Sequence, residues 1–129
     1  MLKPGIKGYQ EVVVTKELTA ARMGSGVLEV FATPAMIALM EQTAYKSVEP
    51  YLEEDSGSVG TSLHISHVAA SPVGMTIHCE SELIEVDGRR LVFHVKAFDQ
   101  DGLIGEGTHE RFVVINDKFQ RKADAKLNK

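Results

Sequence analysis

Three side chains are equipped to move protons or to act on a carbonyl group: Glu41, His67 and Thr33. Glu41 falls at the border of an apolar helical stripe, one turn beyond Ile37 and near Ala44 and Val48 in projection. That is an unusual position for a carboxylate, whose ordinary alternative is to swing out to water. In Leu63-His64-Ile65-Ser66-His67 the period of two groups His67 with Leu63 and Ile65, toward the apolar side, while His64 points the other way. A histidine there needs partners for both ring nitrogens, as a structural hydrogen-bonded residue or as a proton carrier. Thr33 stands before Pro34 at a helix start, where its hydroxyl can either cap an orphan N–H group or polarise a bound acyl group; capping is the commoner use.

Other polar clusters have plainer explanations. Gly105 to Arg111 (GEGTHER) puts glycine and charge inside an apolar run, which predicts a bulge or a close backbone approach. Parity places His109 and Arg111 on one face, and a salt-bridged sheet edge using Glu106 and Glu110 is the simplest expectation. His78 and His94 occupy outward positions on neighbouring runs and are expected to form a surface pair, with Glu53-Glu54-Asp55 a solvated acidic turn. Gly24-Ser25-Gly26 lacks the following Lys-Ser or Lys-Thr of a phosphate loop. The histidines scatter over both faces without an HxxxH or HExxH helix, so neither a catalytic metal nor a cofactor is expected.

The elements that must position these residues follow from periodicity. Tyr9 to Thr15 reads as a first strand and Lys16 to Gly26 as a loop. From Thr33-Pro34 the pattern becomes helical, with Met36, Ile37, Met40, Ala44, Val48 and Tyr51 on one side, until Pro50 forces a kink or a looser turn at Glu49. From Ser58 the period changes to two in four runs, Val59 to Ala69, Met75 to Val86, Arg90 to Asp99 and Leu103 to Ile115, the last three forming an antiparallel meander. One helix on one antiparallel five-stranded sheet is an α+β arrangement, in a single domain over residues 1–116. Residues 117–129 are rich in Lys without an apolar stripe and are expected to form a basic, flexible, solvated tail.

Composition narrows the function. The chain has 129 residues, 43% of them hydrophobic, and a formal net charge of −4, which disfavours nucleic acid as a partner. One cysteine, Cys79, cannot form an internal disulfide, and no run is long enough to span a bilayer, so a cytoplasmic protein without a membrane partner is expected. A single helix layer leaves Val92 and Phe98 on the more polar sheet face and both sheet edges open, which a second copy would cover.

Three segments carry a family likeness: Val30-Phe31-Ala32-Thr33 through Met40-Glu41; Gly60-Thr61 through His67, with Ala69-Ala70-Ser71-Pro72; and Gly105 to Arg111. In order and spacing they resemble the hot-dog thioesterases, in particular the fluoroacetyl-CoA thioesterase subgroup. The resemblance implies a hot-dog homodimer joined edge to edge, with a dimer of dimers as a further assembly, and an acyl-CoA thioester site near the subunit interface. It maps the family's catalytic Thr, Glu and His onto Thr33, Glu41 and His67, and it assigns Phe31, Gly60, Thr61 and Arg111 to substrate binding. The implied activity is hydrolysis of a small acyl-CoA to a carboxylate and free CoA, the alternative being a non-catalytic acyl-CoA-binding or sensing module. The subgroup's phenylalanine-rich lid has no counterpart in Ala21 to Leu28, which contains no aromatic residue, so fluoroacetyl selectivity is not expected to carry over.

Overall fold

The computed structural model describes residues 2–129, and its elements in chain order are β1 (Lys7–Val13), α1 (Ala20–Met23), α2 (Thr33–Val48), β2 (Ser56–His67), β3 (Thr76–Asp87), β4 (Arg90–Asp99), β5 (Gly102–Ile115) and α3 (Asn116–Asp124). Short 3₁₀ turns occupy Lys16–Leu18, Glu49–Tyr51 and Ala125–Asn128. The five strands form one antiparallel sheet in the order β1-β3-β4-β5-β2, and α2 packs across β3, β1 and β4. This is the hot-dog arrangement, a long helix lying on an antiparallel sheet.

α2 forms where Met, Leu and Ala predominate, and it starts at Thr33 because Pro34 fits a first helical turn. Met36, Met40, Ala44 and Val48 are buried as the stripe requires, and Ala35, Leu39 and Thr43 widen it. Thr43 can be buried because its hydroxyl donates to the Leu39 carbonyl at 2.7 Å. At Pro50 the chain tightens into the 3₁₀ turn, so Tyr51 leaves the helical period and stays exposed. Under the helix lie Ile77, Cys79 and Leu83 of β3 and Leu91, Phe93, Val95 and Ala97 of β4, all fully buried, as their alternation predicts.

The opposite sheet face is polar. His78 and His94 are not a pair there: His78 is registered against Phe98 and stacks between Phe98 and Tyr9 at centroid distances of 4.8 and 5.6 Å, while His94 opposes Glu82. Nor is β5 an edge. It lies between β4 and β2, which carries His109 and Arg111 into the interior, at 0% and 6% exposure, instead of into a salt-bridged rim. Gly107 lets β2 approach at this point, since a Cβ there would collide with the His64 carbonyl.

The true edges are β1 and β2. β1 is short and carries Lys7 and Glu11, whereas β2 runs for 12 residues (SGSVGTSLHISH) with no Lys, Glu, Asp or Pro to discourage pairing. Beyond β5 the chain continues as α3, with every side chain exposed; helix-forming residues give the helix, and the missing apolar stripe leaves it solvated. No helix among the described residues is long and apolar enough to cross a membrane.

Candidate active site

The start of α2 is held from two sides. The Phe31 N–H donates to the Ser71 carbonyl at 2.8 Å and the Ala32 N–H to the Leu18 carbonyl at 2.9 Å. Ser71 is itself fixed, its hydroxyl donating to the Asp99 carboxylate at 2.7 Å. Thr33 therefore enters the helix in a defined place, and the last residue of β2 meets it: Thr33 Oγ1 lies 2.8 Å from His67 Nδ1.

The capping expectation for Thr33 fails here. The cap residue is Ala32, and Thr33 already has a helical position, one residue too late for its hydroxyl to serve the first free amides. That hydroxyl is committed to the imidazole. Burial lowers the His67 pKa below 6.5, with the nearby Ala69 backbone opposing the shift, so the ring is neutral at physiological pH. His67 Nε2 is buried and has no hydrogen-bond partner among the described residues. A crevice of about 310 Å³ opens beside the pair, lined also by Ala20, Val30, Phe31 and Val68.

Glu41 stands eight residues beyond Thr33 on α2, a rise of about 12 Å, so one chain does not gather all three expected groups into one cluster. Its carboxylate, with the side chain 38% exposed, faces Arg111 Nη1 at 3.6 Å. Together with Phe31, Leu39 and Tyr45 this pair borders a second crevice of about 480 Å³. Phe31 thus lines both crevices, while Arg111 serves only the second. Gly60 closes against the carboxylate: a Cβ there would stand 2.7 Å from Glu41 Oε2. Thr61 sits at a register shift between Gly60 and Ser62, exposed, its hydroxyl donating to the Glu110 carbonyl at 3.2 Å.

Arg111 is held more tightly than its sequence position foretells. Its Nε donates to Ser58 Oγ at 2.7 Å, Nη2 donates to the Ser58 carbonyl at 2.8 Å, and Nη1 lies 3.1 Å from His109 Nε2. The Tyr45 ring covers its guanidinium at 5.6 Å. Burial pulls the Arg111 pKa down and Glu41 opposes that shift, but an arginine remains cationic throughout the working range. The shared parity of His109 and Arg111 signalled their common face; Ser58 and Tyr45, which complete the cradle, carry no such signal.

The arrangement offers a hydroxyl–imidazole pair at the amino end of a helix and a carboxylate–guanidinium pair two turns further on. Such groups suit nucleophilic or water-assisted attack on an acyl carbon.

Comparison with known proteins agrees with that chemistry. The family model described as fluoroacetyl-CoA-specific thioesterase matches residues 14–117. The fluoroacetyl-CoA thioesterase of Streptantibioticus cattleyicolor is 46% identical over 98 residues, which are 76% of this chain and 70% of that protein. A solved structure of a fluoroacetyl-CoA thioesterase superposes with a TM-score of 0.93 at 37% identity, covering 98% of each chain. A thioesterase superfamily member from Thermus thermophilus superposes with a TM-score of 0.87 at 27% identity, covering 100% of this chain and 98% of that one.

Proposed function

From the premise that this chain belongs to the fluoroacetyl-CoA-specific thioesterase family and is a hot-dog thioester hydrolase, we propose that it cleaves small acyl-CoA thioesters, using Thr33, His67 and Glu41. The single observation that carries the assignment of residues is the Thr33–His67 hydrogen bond at the amino end of α2, with His67 Nε2 unpartnered among the described residues.

In this scheme the acyl carbonyl lies at the start of α2. The Thr33 hydroxyl orients it, and the first helical N–H groups, which have no partner within the helix, stabilise the oxyanion. Glu41 supplies the carboxylate that either attacks the acyl carbon or removes a proton from the attacking water. The C–S bond breaks and the departing thiolate takes a proton that His67 relays from water; in the water-assisted route the water oxygen ends in the product carboxylate, and in the direct route C–S cleavage leaves an acyl–Glu41 anhydride that water then hydrolyses. Phe31, Gly60, Thr61 and Arg111 shape the substrate site.

The rise of about 12 Å along α2 from Thr33 to Glu41 favours a site assembled from two copies. Along α2 and β2, Thr33 lies beside His67 and Glu41 beside Gly60. Pairing two β2 edges antiparallel about a dyad near Leu63-His64 sets His67 of one protomer opposite Gly60 of its partner, and therefore beside that partner's Glu41. The long uncharged β2 edge supports such pairing. We take the assembly to be a cytoplasmic homodimer with two equivalent composite sites, able to pair further into a dimer of dimers; the free thiol of Cys79 fits a reducing compartment.

The segment Ala21 to Leu28, which reaches the Thr33–His67 crevice at Ser25, carries Met23, Val27 and Leu28 exposed to solvent and no aromatic side chain, so Phe31 is the one phenyl ring lining that crevice among the described residues. Aliphatic contacts discriminate weakly between acyl groups of similar size, so fluoroacetyl-CoA and acetyl-CoA are expected to differ in kcat/KM by no more than about tenfold. A thiol-release screen over short, branched, aromatic and halogenated acyl-CoAs tests the whole proposal. Turnover of the short members, reduced at least about 10²-fold in folded Glu41→Gln and His67→Ala variants, is the expected result. Tight binding without thiol release, or wild-type turnover in both variants, contradicts it.

A further inference from the structure

His109 has no role in the scheme above, yet it is a fully buried imidazole in contact with the cation that faces Glu41. We propose that His109 is a positioning residue whose bare Nε2 accepts a hydrogen bond from Arg111 and so holds the guanidinium against the Glu41 carboxylate; the inference rests on Glu41 being the reactive carboxylate.

The chemistry of its two neighbours dictates the tautomer. Nδ1 lies 2.9 Å from the Ser62 carbonyl, which can only accept, so Nδ1 carries the hydrogen and donates it. Nε2 lies 3.1 Å from Arg111 Nη1, which can only donate, so Nε2 is unprotonated. A doubly protonated ring would set two donors against each other beside a buried cation.

The groups around the ring pull in opposite directions. The Phe93 ring of β4 stacks on the imidazole with centroids 6.2 Å apart. From α2, Glu41 favours a charged ring, and Tyr45 covers Arg111. On β5, Arg111 opposes a charged ring, while Glu110, bound to Arg90 at 2.6 Å, favours it weakly. β2 contributes the Ser62 carbonyl and, at Gly60, no side chain; a Cβ there would approach His109 Cε1 to 3.2 Å. Burial, with Arg111 beside it, outweighs Ser62, Glu41 and Glu110 and keeps the His109 pKa below 6.5.

The consequence concerns orientation. Ser58 fixes two edges of the guanidinium, Nε and Nη2, and His109 fixes Nη1, the edge that meets Glu41. Without an acceptor at residue 109, Nη1 loses a partner and the cation turns away from the carboxylate, while the rest of its cradle remains.

Ring ¹⁵N NMR of the wild-type protein tests the tautomer without reference to activity: Nδ1 protonated and Nε2 bare at neutral pH is expected, and the opposite tautomer overturns the proposal. Kinetics test the consequence. His109→Leu, which fills the site without an acceptor, is expected to lower kcat about tenfold or more with KM changed by less than about threefold. His109→Gln, whose amide oxygen can take the place of Nε2, is expected to stay within about threefold of wild type. In an Arg111→Met background His109→Leu should lower kcat by less than about twofold further. An undiminished effect in that background overturns the proposal, because the residue would then not act through Arg111. If His109→Leu does not fold, His109→Gln and the ring spectrum decide: a Gln variant as inactive as Arg111→Met contradicts the role. Normal turnover in Glu41→Gln would instead overturn the assignment of the carboxylate, and the ¹⁵N spectrum would still report on the His109–Arg111 pair.

Discussion

Replacing Gly60 by alanine separates the function of the Glu41 crevice from its stability. The added methyl would stand 2.7 Å from Glu41 Oε2, 3.2 Å from His109 Cε1 and 3.5 Å from Arg111 Nη1. Only the first distance is prohibitive, and Oε2 must retreat by about 0.7 Å or more to reach ordinary contact. The Glu41 side chain is 38% exposed, so its carboxylate can turn toward water, and Arg111, still held by Ser58 and Tyr45, loses only a partly solvated partner. Alanine also restricts the unfolded chain, which stabilises the fold by about 0.4–1 kcal/mol and offsets crowding at His109. The net change in stability should stay within about 1 kcal/mol. The carboxylate, however, moves by nearly the distance that costs about 10²-fold when catalytic groups are misplaced. Thiol release from a short acyl-CoA, measured beside a urea melt, should therefore show kcat reduced by about 10²-fold in a protein of nearly unchanged midpoint. Full turnover in a folded Gly60→Ala protein would refute the claim that the Glu41 position matters to the reaction.

Further consequences follow from the buried titrating groups. His67 and His109 both have pKa values below 6.5 because burial disfavours their charged forms. The unfolded chain then binds more protons than the native one as pH falls below about 6.5, so stability is complete above that value and is lost with acidification. The urea midpoint should drop between about pH 7.5 and pH 5, and His109→Gln should shrink the drop; a midpoint flat over that interval would contradict the assignment of neutral imidazoles. Burial also drives the Cys79 thiol up to about 11, the nearby Thr43 hydroxyl opposing the shift. Alkylation at about pH 8 should accordingly be slow in native protein and fast in denaturant, and rapid labelling of the native state would place Cys79 outside the core.

The sheet, the helix and their contact were legible because each buries one face, and such faces repeat at fixed periods. Met36, Met40, Ala44 and Val48, like Leu91, Phe93, Val95 and Ala97, are where the pattern requires. What periodicity cannot give is the order of strands. His109 and Arg111 shared a face in the sequence, but whether that face is a rim or an interior depends on β2 returning to pair beyond β5, a contact between residues far apart in the chain. Thr33 was misread for a smaller reason: one residue separates a cap from a first helical position, and the hydroxyl's choice between amide and imidazole depends on where β2 ends. Ser58 and Tyr45 join Arg111 only through the three-dimensional fold, so no local pattern marks them.

The central claim is that Glu41 of one protomer works with Thr33 and His67 of its partner, and a purified heterodimer of a Glu41→Gln chain with a His67→Ala chain tests it most directly. Each parent homodimer should be nearly inactive. Pairing across the interface leaves one site with both residues intact, so the heterodimer should recover about half of the wild-type rate. A heterodimer as inactive as its parents would contradict the composite site.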